Sequence, residues 1–102
     1  MTVRLTPSQI EVIKQETEHY FGSGAQVWLF GSRVDDTKKG GDIDLYVRPG
    51  INDADQLAAA RFAFLARLTR RIGDQKIDLV LQRAGDEELP IHMQAKRQGV
   101  RL

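Results

Sequence analysis

The sequence contains no cysteine and no long apolar run. Without cysteine, disulfide bonds, thiolate zinc sites and cysteine nucleophiles are excluded. No segment approaches the roughly 20 apolar residues that a membrane-spanning helix needs, and the N-terminal residues lack the apolar core of a signal peptide. We therefore expect a cytoplasmic protein that makes no membrane contact.

The sequence also lacks a large excess of charge of either sign. Its 15 lysine and arginine residues nearly balance 14 aspartate and glutamate residues, which leaves a net charge of +1. This balance gives no electrostatic argument for direct binding to nucleic acid. With 102 residues, 41% hydrophobic and 28% charged, the chain has the composition of a single globular domain over residues 1–102.

Helical and extended patterns alternate along the chain. Thr6, Pro7 and Gln9 have the types and spacing of a helix start, and Gly and Pro residues separate the later segments. In chain order we predict a helix after Thr6, a strand at 25–30, at most a short helix or turn after Ser32, a strand at 42–48, a helix from residue 52 or 53 to about 72, a strand at 76–82 and a final segment at 86–98. This order predicts an α/β or α+β domain in which helices pack against a small three-stranded sheet.

Three aspartates lie within the predicted second and third strands. Because side chains alternate across a strand, Asp42 and Asp44 share one face, and Asp78 lies opposite the apolar side chains of its own strand. The apolar sets are Ile43, Leu45 and Val47 in one strand and Ile77, Leu79 and Leu81 in the other. If both apolar faces cover one core, all three aspartates converge.

Converging carboxylates repel one another unless a cation neutralises them. Oxygen ligands suit magnesium or manganese better than zinc or copper. Gly31 and Ser32 follow the first strand. Gly31 has no Cβ atom, so the backbone can approach a phosphate closely, and the Ser32 hydroxyl can bond to a phosphate oxygen. Metal-binding carboxylates beside a phosphate site indicate phosphoryl or nucleotidyl transfer.

Structural alternatives exist for each of these residues. A polar residue on the exposed face of a sheet needs no function, but aspartate is depleted in strands, and three of them with a Gly-Ser turn favour a functional site. Arg61 falls within the apolar arc of its helix, where either its stem packs on the core or its guanidinium binds a buried carboxylate or a phosphate. His19 and His92 are isolated, and we expect each on a helix surface or partly buried.

The run GSRVDDTKKGGDIDLYV, followed by KIDLVL and the terminal QGVRL, resembles the minimal nucleotidyltransferases of the DNA polymerase beta superfamily. These small domains pair with HEPN-type RNases in prokaryotic toxin-antitoxin systems. The resemblance extends over nearly the whole chain and implies the polymerase beta-like nucleotidyltransferase fold with a mixed sheet. Many relatives have a serine before the Asp-x-Asp pair, where this chain has Gly41.

The resemblance also implies a role for each motif residue. Gly31 and Ser32 would bind the nucleotide triphosphate. Arg33 matches a position that is often basic in such proteins and would reach a phosphate, although a surface arginine in a polar loop is an equal alternative.

The three aspartates would be the metal ligands and catalytic residues. Asp42 and Asp44 would hold two Mg²⁺ ions, with Mn²⁺ as a substitute, and Asp78 would hold the ion nearer the attacking hydroxyl and help to accept its proton. The implied activity is transfer of AMP from ATP to a tyrosine of a HEPN-family toxin, which neutralises the toxin. The alternative is an antitoxin without catalytic activity that neutralises its partner by occlusion.

Overall fold

The structure is a computed structural model that describes residues 5–31, 43–73 and 75–102. The described residues form three helices and four strands. In chain order these elements are α1 (Pro7–Phe21), β1 (Gln26–Phe30), β2 (Ile43–Arg48), α2 (Ala54–Ile72), β3 (Ile77–Leu81), α3 (Pro90–Gln98) and β4 (Val100–Arg101). In the described part of the chain, no helix combines the length and the apolar character needed to cross a membrane.

The first two helices begin where the sequence predicts. The Thr6 hydroxyl accepts the Gln9 N–H at 3.1 Å, and the Gln9 side chain accepts the Thr6 N–H at 2.9 Å. This reciprocal pair satisfies two amides at the helix start. Of the two residues predicted to cap α2, Asp53 is the one that does so, because its carboxylate accepts the Gln56 N–H at 2.8 Å.

The sheet has the strand order β3-β2-β1-β4. β2 and β3 run parallel, whereas β1 is antiparallel to both β2 and β4. The prediction of a three-stranded sheet is therefore wrong, because the chain after α3 adds a fourth strand beside β1. Gly99 makes this return possible, since a Cβ atom added there would overlap the Ala95 carbonyl oxygen and lie 3.0 Å from that of Leu29.

Helices cover both faces of the sheet. On one face α1 and α2 pack over the larger core, to which the strands contribute Val27, Leu29, Ile43, Leu45, Val47 and Leu79. On the other face Ala95 of α3 packs against Phe30 and Tyr46, with Trp28 and Val80 partly buried beside them. The predicted apolar sets of β2 and β3 thus do face the larger core, and their alternate residues face the side of the sheet that α3 partly covers.

An ion pair joins the two helices of the larger core. Glu16 of α1 is 7% exposed, and its carboxylate accepts a hydrogen bond from Nη1 of Arg71 in α2 at 3.0 Å. The Arg67 guanidinium lies 3.7 Å from the same oxygen. Arg67 and Arg71 are thus held along the α1 side of α2.

Candidate functional site

Two of the three predicted aspartates lie side by side on neighbouring strands. Asp44 of β2 and Asp78 of β3 are register partners in the parallel pair. Register partners on adjacent parallel strands point to the same face, and the strands are about 4.8 Å apart. Asp44 is half-buried, whereas Asp78 is exposed. The structure thus brings these two carboxylates together on the face opposite the larger core, which we call the aspartate face.

Gly31 lies directly against the Asp44 carboxylate. Phe30, the last residue of β1, is the register partner of Asp44 across the antiparallel pair. A Cβ atom added at Gly31 would overlap Oδ2 of Asp44 and lie 3.1 Å from its Cγ atom. Gly31 also has a φ of +77°, which side chains disfavour. Glycine at this position therefore allows the carboxylate and the backbone corner to approach closely.

The directions of the strands bring these groups to one edge of the sheet. β1 is antiparallel to β2, so its last residues lie beside the first residues of β2. β3 is parallel to β2, so its first residues lie at the same edge. Gly31, Asp44 and Asp78 lie at one edge of the sheet for this reason, although they are distant in sequence.

The remaining predicted site residues lie outside the described residues. These are Ser32, Arg33 and Asp42. Within residues 5–31, 43–73 and 75–102, no group of three acidic, histidine or cysteine side chains could hold a metal ion. Asp44 and Asp78 nonetheless supply the hard oxygen donors that Mg²⁺ and Mn²⁺ prefer, so this donor set is compatible with the predicted cation.

A buried polar clamp lies under the same face. The Tyr46 hydroxyl of β2 donates a hydrogen bond to Oε1 of Gln82, and both side chains are buried. Burial raises the pKa of the Tyr46 hydroxyl above its ordinary value, so the group stays protonated and remains a donor. This bond ties β2 to the residue after β3. Tyr46 lies two positions beyond Asp44, and Gln82 lies four positions beyond Asp78.

His92 completes the contact between α3 and this face. It is 5% exposed, its ring centroid lies 5.9 Å from that of Tyr46, and its Nδ1 atom accepts the Leu89 N–H at 3.0 Å. His92 is thus a buried structural residue, whereas His19 is exposed on α1. Neither residue belongs to a cluster of metal ligands in the described part of the chain.

The sequence analysis missed the Tyr46–Gln82 clamp, although a signal for it exists. Tyr46 is two residues after Asp44, and Gln82 is four residues after Asp78. Strand alternation therefore places both residues on the aspartate face. Their pairing, in contrast, depends on the register between β2 and β3, which neither strand encodes alone.

An ion pair fastens α3 beside this face. The Lys96 ammonium group is bonded to the Glu88 carboxylate, which lies just before the helix. This hydrogen bond, more than any other contact, lowers the pKa of Glu88. The pair links the segment that precedes α3 to the helix itself.

Comparison with known proteins adds no family assignment. No protein-family model matches the chain, and no curated protein matches it. The chemistry of the site is therefore inferred from the positions of Gly31, Asp44 and Asp78.

Proposed function

We propose that this chain is a metal-dependent nucleotidyltransferase that transfers AMP from ATP to a hydroxyl group on a protein. The observation that carries this proposal is the arrangement of three groups at one sheet edge. Asp44 and Asp78 are register partners, and the glycine corner at the end of β1 lies against the Asp44 carboxylate. A phosphate at the corner would therefore lie close to the paired carboxylates.

Each residue has a distinct task in this proposal. Asp44 and Asp78, together with Asp42, would hold Mg²⁺ or Mn²⁺, which when bound neutralises charge on the phosphates and the leaving group. Gly31 allows the Asp44 carboxylate to lie against the backbone at the corner where the phosphates would bind. Ser32 would donate its hydroxyl to them, and Arg33, the next residue, would offer a guanidinium.

The proposed transfer exchanges a phosphoanhydride bond of ATP for a phosphate ester bond. The acceptor oxygen forms a bond to the α-phosphorus of ATP, and the bond from that phosphorus to the oxygen that bridges to the β-phosphate breaks. Pyrophosphate leaves with the electron pair of the broken bond. Asp78 is exposed, so an incoming hydroxyl can reach its carboxylate, which would accept the proton.

The exposure of this carboxylate supports a macromolecular acceptor. A hydroxyl on the surface of another protein can approach Asp78 without first entering an enclosed pocket. By the resemblance described above, the proposed acceptor is a tyrosine of a HEPN-family RNase toxin, and its modification would neutralise the toxin. ATP is the proposed donor.

The test is a transfer assay with matched carboxylate variants. The chain is purified with the protein encoded by the adjacent gene and incubated with ATP and Mg²⁺, and intact-mass spectrometry then measures addition of AMP. We expect Asp44→Asn and Asp78→Asn to reduce the rate by at least about 100-fold, because each removes charge from the metal-binding face. Asp55→Asn, which removes an exposed carboxylate in the first turn of α2, should leave the rate unchanged.

Two results would contradict the proposal. One is an adduct that forms at the same rate in Asp44→Asn and in the unsubstituted chain. The other is an adduct that forms equally well when EDTA has removed divalent cations. Circular dichroism of each variant distinguishes lost chemistry from lost folding.

Neutralisation by occlusion is a second candidate function. The observation that favours it is a group of exposed apolar side chains at the start of α3, namely Leu89, Ile91 and Met93, which a bound protein could cover. Occlusion predicts that the Asp44→Asn chain still binds the partner and suppresses its RNase activity. Catalytic neutralisation predicts that this variant still binds but no longer suppresses that activity.

A further inference from the structure

A cavity of about 250 Å³ lies between the first half of α2 and the chain that leaves β3. One wall is a single face of α2, formed by residues 54, 57, 58 and 61, a spacing that aligns side chains along a helix. Ala54, Leu57 and Ala58 make this wall apolar, and Leu81 of β3 continues the apolar surface. The fourth helix residue, Arg61, brings a cation to the cavity.

Arg61 lines the cavity without a partner among the described residues. It is half-buried, and it makes no hydrogen bond or ion pair to any residue that the structure describes. One interpretation of Arg61 from the sequence is an ion pair with a buried carboxylate. No such partner is present among the described residues. A guanidinium has five N–H donors, and those of Arg61 remain available to a ligand.

A hydrogen-bonded turn places a second arginine, Arg83, at the same cavity. The Arg83 N–H donates to Oδ2 of Asp86 at 2.8 Å, and the Asp86 N–H donates to the Arg83 carbonyl at 3.1 Å. The two side chains also form an ion pair, with Nη2 of Arg83 3.3 Å from Oδ1 of Asp86. Gly85 within the turn has a φ of +89°, as a type II turn requires at this position.

The charges around the cavity do not cancel. Arg61 and Arg83 supply two cations, and Asp86 supplies one carboxylate. That carboxylate is already bound to the backbone and side chain of Arg83, contacts that lower the pKa of Asp86. Because Arg83 uses only part of its donor set on Asp86, both arginines can contact one anion.

We propose that this cavity binds a small organic anion that carries one carboxylate or phosphate group on an apolar body. The anionic group would lie between Arg61 and Arg83, and the apolar body would contact Leu57 and Leu81. Ligand pockets usually enclose about 300–1,000 Å³, so the smaller volume of this cavity limits the body to a single ring or a short alkyl chain.

This site is separate from the aspartate face. Leu81 packs with the larger core, whereas Asp78 lies on the opposite face of the same strand. The two residues are also three positions apart, which corresponds to about 10 Å along a strand. Occupation of the cavity therefore does not require nucleotide or metal.

The experiment uses benzoate and phenyl phosphate as probes and benzyl alcohol as their uncharged counterpart. Each is titrated into the ¹⁵N-labelled chain without metal or ATP, and amide shifts are followed by NMR. We expect benzoate, phenyl phosphate or both to shift the amides of Leu57, Ala58 and Leu81 in a saturable manner. Which of the two binds more tightly identifies the anionic group, and benzyl alcohol should bind at least about tenfold more weakly than that probe, because it lacks the charge-assisted bonds.

Three variants separate this site from general attraction to a basic surface. Arg61→Gln should weaken binding of the better probe about tenfold or more. Arg70→Gln removes the same charge from an exposed position of the same helix and should have no effect. Ala58→Leu keeps every charge but fills the cavity, and it should abolish binding while the spectrum remains that of a folded chain.

Three outcomes would overturn the proposal. They are the absence of saturable shifts at these amides with either anion, equal binding of benzyl alcohol and the anions, and equal effects of Arg61→Gln and Arg70→Gln. The spectrum of each variant shows directly whether it is folded, so a folding defect is not mistaken for lost binding. If Ala58→Leu unfolds the chain, Ala58→Val repeats the test with a smaller side chain.

Discussion

The glycine at the end of β1 controls how closely the Asp44 carboxylate can approach the backbone. Gly31→Ala introduces two separate costs. The residue has a φ of +77°, and the new Cβ atom would overlap Oδ2 of Asp44 and lie 3.1 Å from Cγ. The first cost is local to the backbone, whereas the second depends on the presence of the carboxylate.

The two costs can be assigned magnitudes. A side chain forced into left-handed backbone conformation costs about 1–2 kcal/mol. If the Asp44 side chain rotates away from its preferred rotamer to relieve the overlap, the added cost is about 0.5–1.5 kcal/mol. Gly31→Ala should therefore lower the free energy of unfolding by about 1.5–3.5 kcal/mol in total. Because the carboxylate must move, the proposed binding of Mg²⁺ at this face should also weaken.

A double-mutant cycle separates the two costs by urea denaturation. In an Asp44→Ala background only the Cβ atom of residue 44 remains, and it lies 3.4 Å from the added Cβ, an ordinary contact. The cost of Gly31→Ala should then decrease to the backbone part, which leaves a coupling of about 0.5–1.5 kcal/mol. Gly85→Ala is the control, because φ is +89° there but no atom lies within 4 Å of the added Cβ. An equal cost of Gly31→Ala in both backgrounds would refute the close approach.

Two further predictions concern the support of the aspartate face. Tyr46→Phe leaves the buried Gln82 carbonyl without its donor and should lower the free energy of unfolding by about 1–3 kcal/mol. Tyr20→Phe, at a half-buried position, is the control and should change the free energy of unfolding little. Equal effects of the two substitutions would contradict the Tyr46–Gln82 hydrogen bond. Because the bond to Lys96 lowers the pKa of Glu88, its contribution to stability is present above the unfolded pKa of about 4.3 and disappears as the pH falls through the lower folded pKa. The Tm difference between the unsubstituted chain and Glu88→Gln should therefore shrink as the pH falls below about 4.3, and a difference that does not decrease with falling pH would contradict the pairing.

The faces of β2 and β3 could be predicted because strand alternation is strict. Ile43 and Leu45 of β2 face the larger core, and the side chain between them must point to the other face. The same rule applies to Asp78 between Ile77 and Leu79. The pairing of Asp44 with Asp78 could not be predicted in the same way, because the register depends on how α2 and its flanking segments return the chain to the sheet.

The fourth strand could not be predicted because two residues carry no periodicity. Val100 and Arg101 pair with Leu29 and Trp28 of β1, and this pairing depends on how closely Gly99 approaches neighbouring backbone. Burial of His92 was missed for a similar reason. The contact of its ring with Tyr46 requires α3 to lie on the aspartate face, and the helical pattern alone does not specify on which face of the sheet α3 packs.

Strand spacing positions the part of the proposed site that the structure describes. Adjacent strands are about 4.8 Å apart, and two aspartate side chains at that separation can converge on one cation with Mg–O bonds of about 2.0–2.1 Å. The Tyr46–Gln82 hydrogen bond adds a side-chain link between β2 and the residue that follows β3. Gly31 reaches the same edge because β1 ends where β2 begins. The sheet itself therefore brings Gly31 and the two carboxylates of Asp44 and Asp78 together.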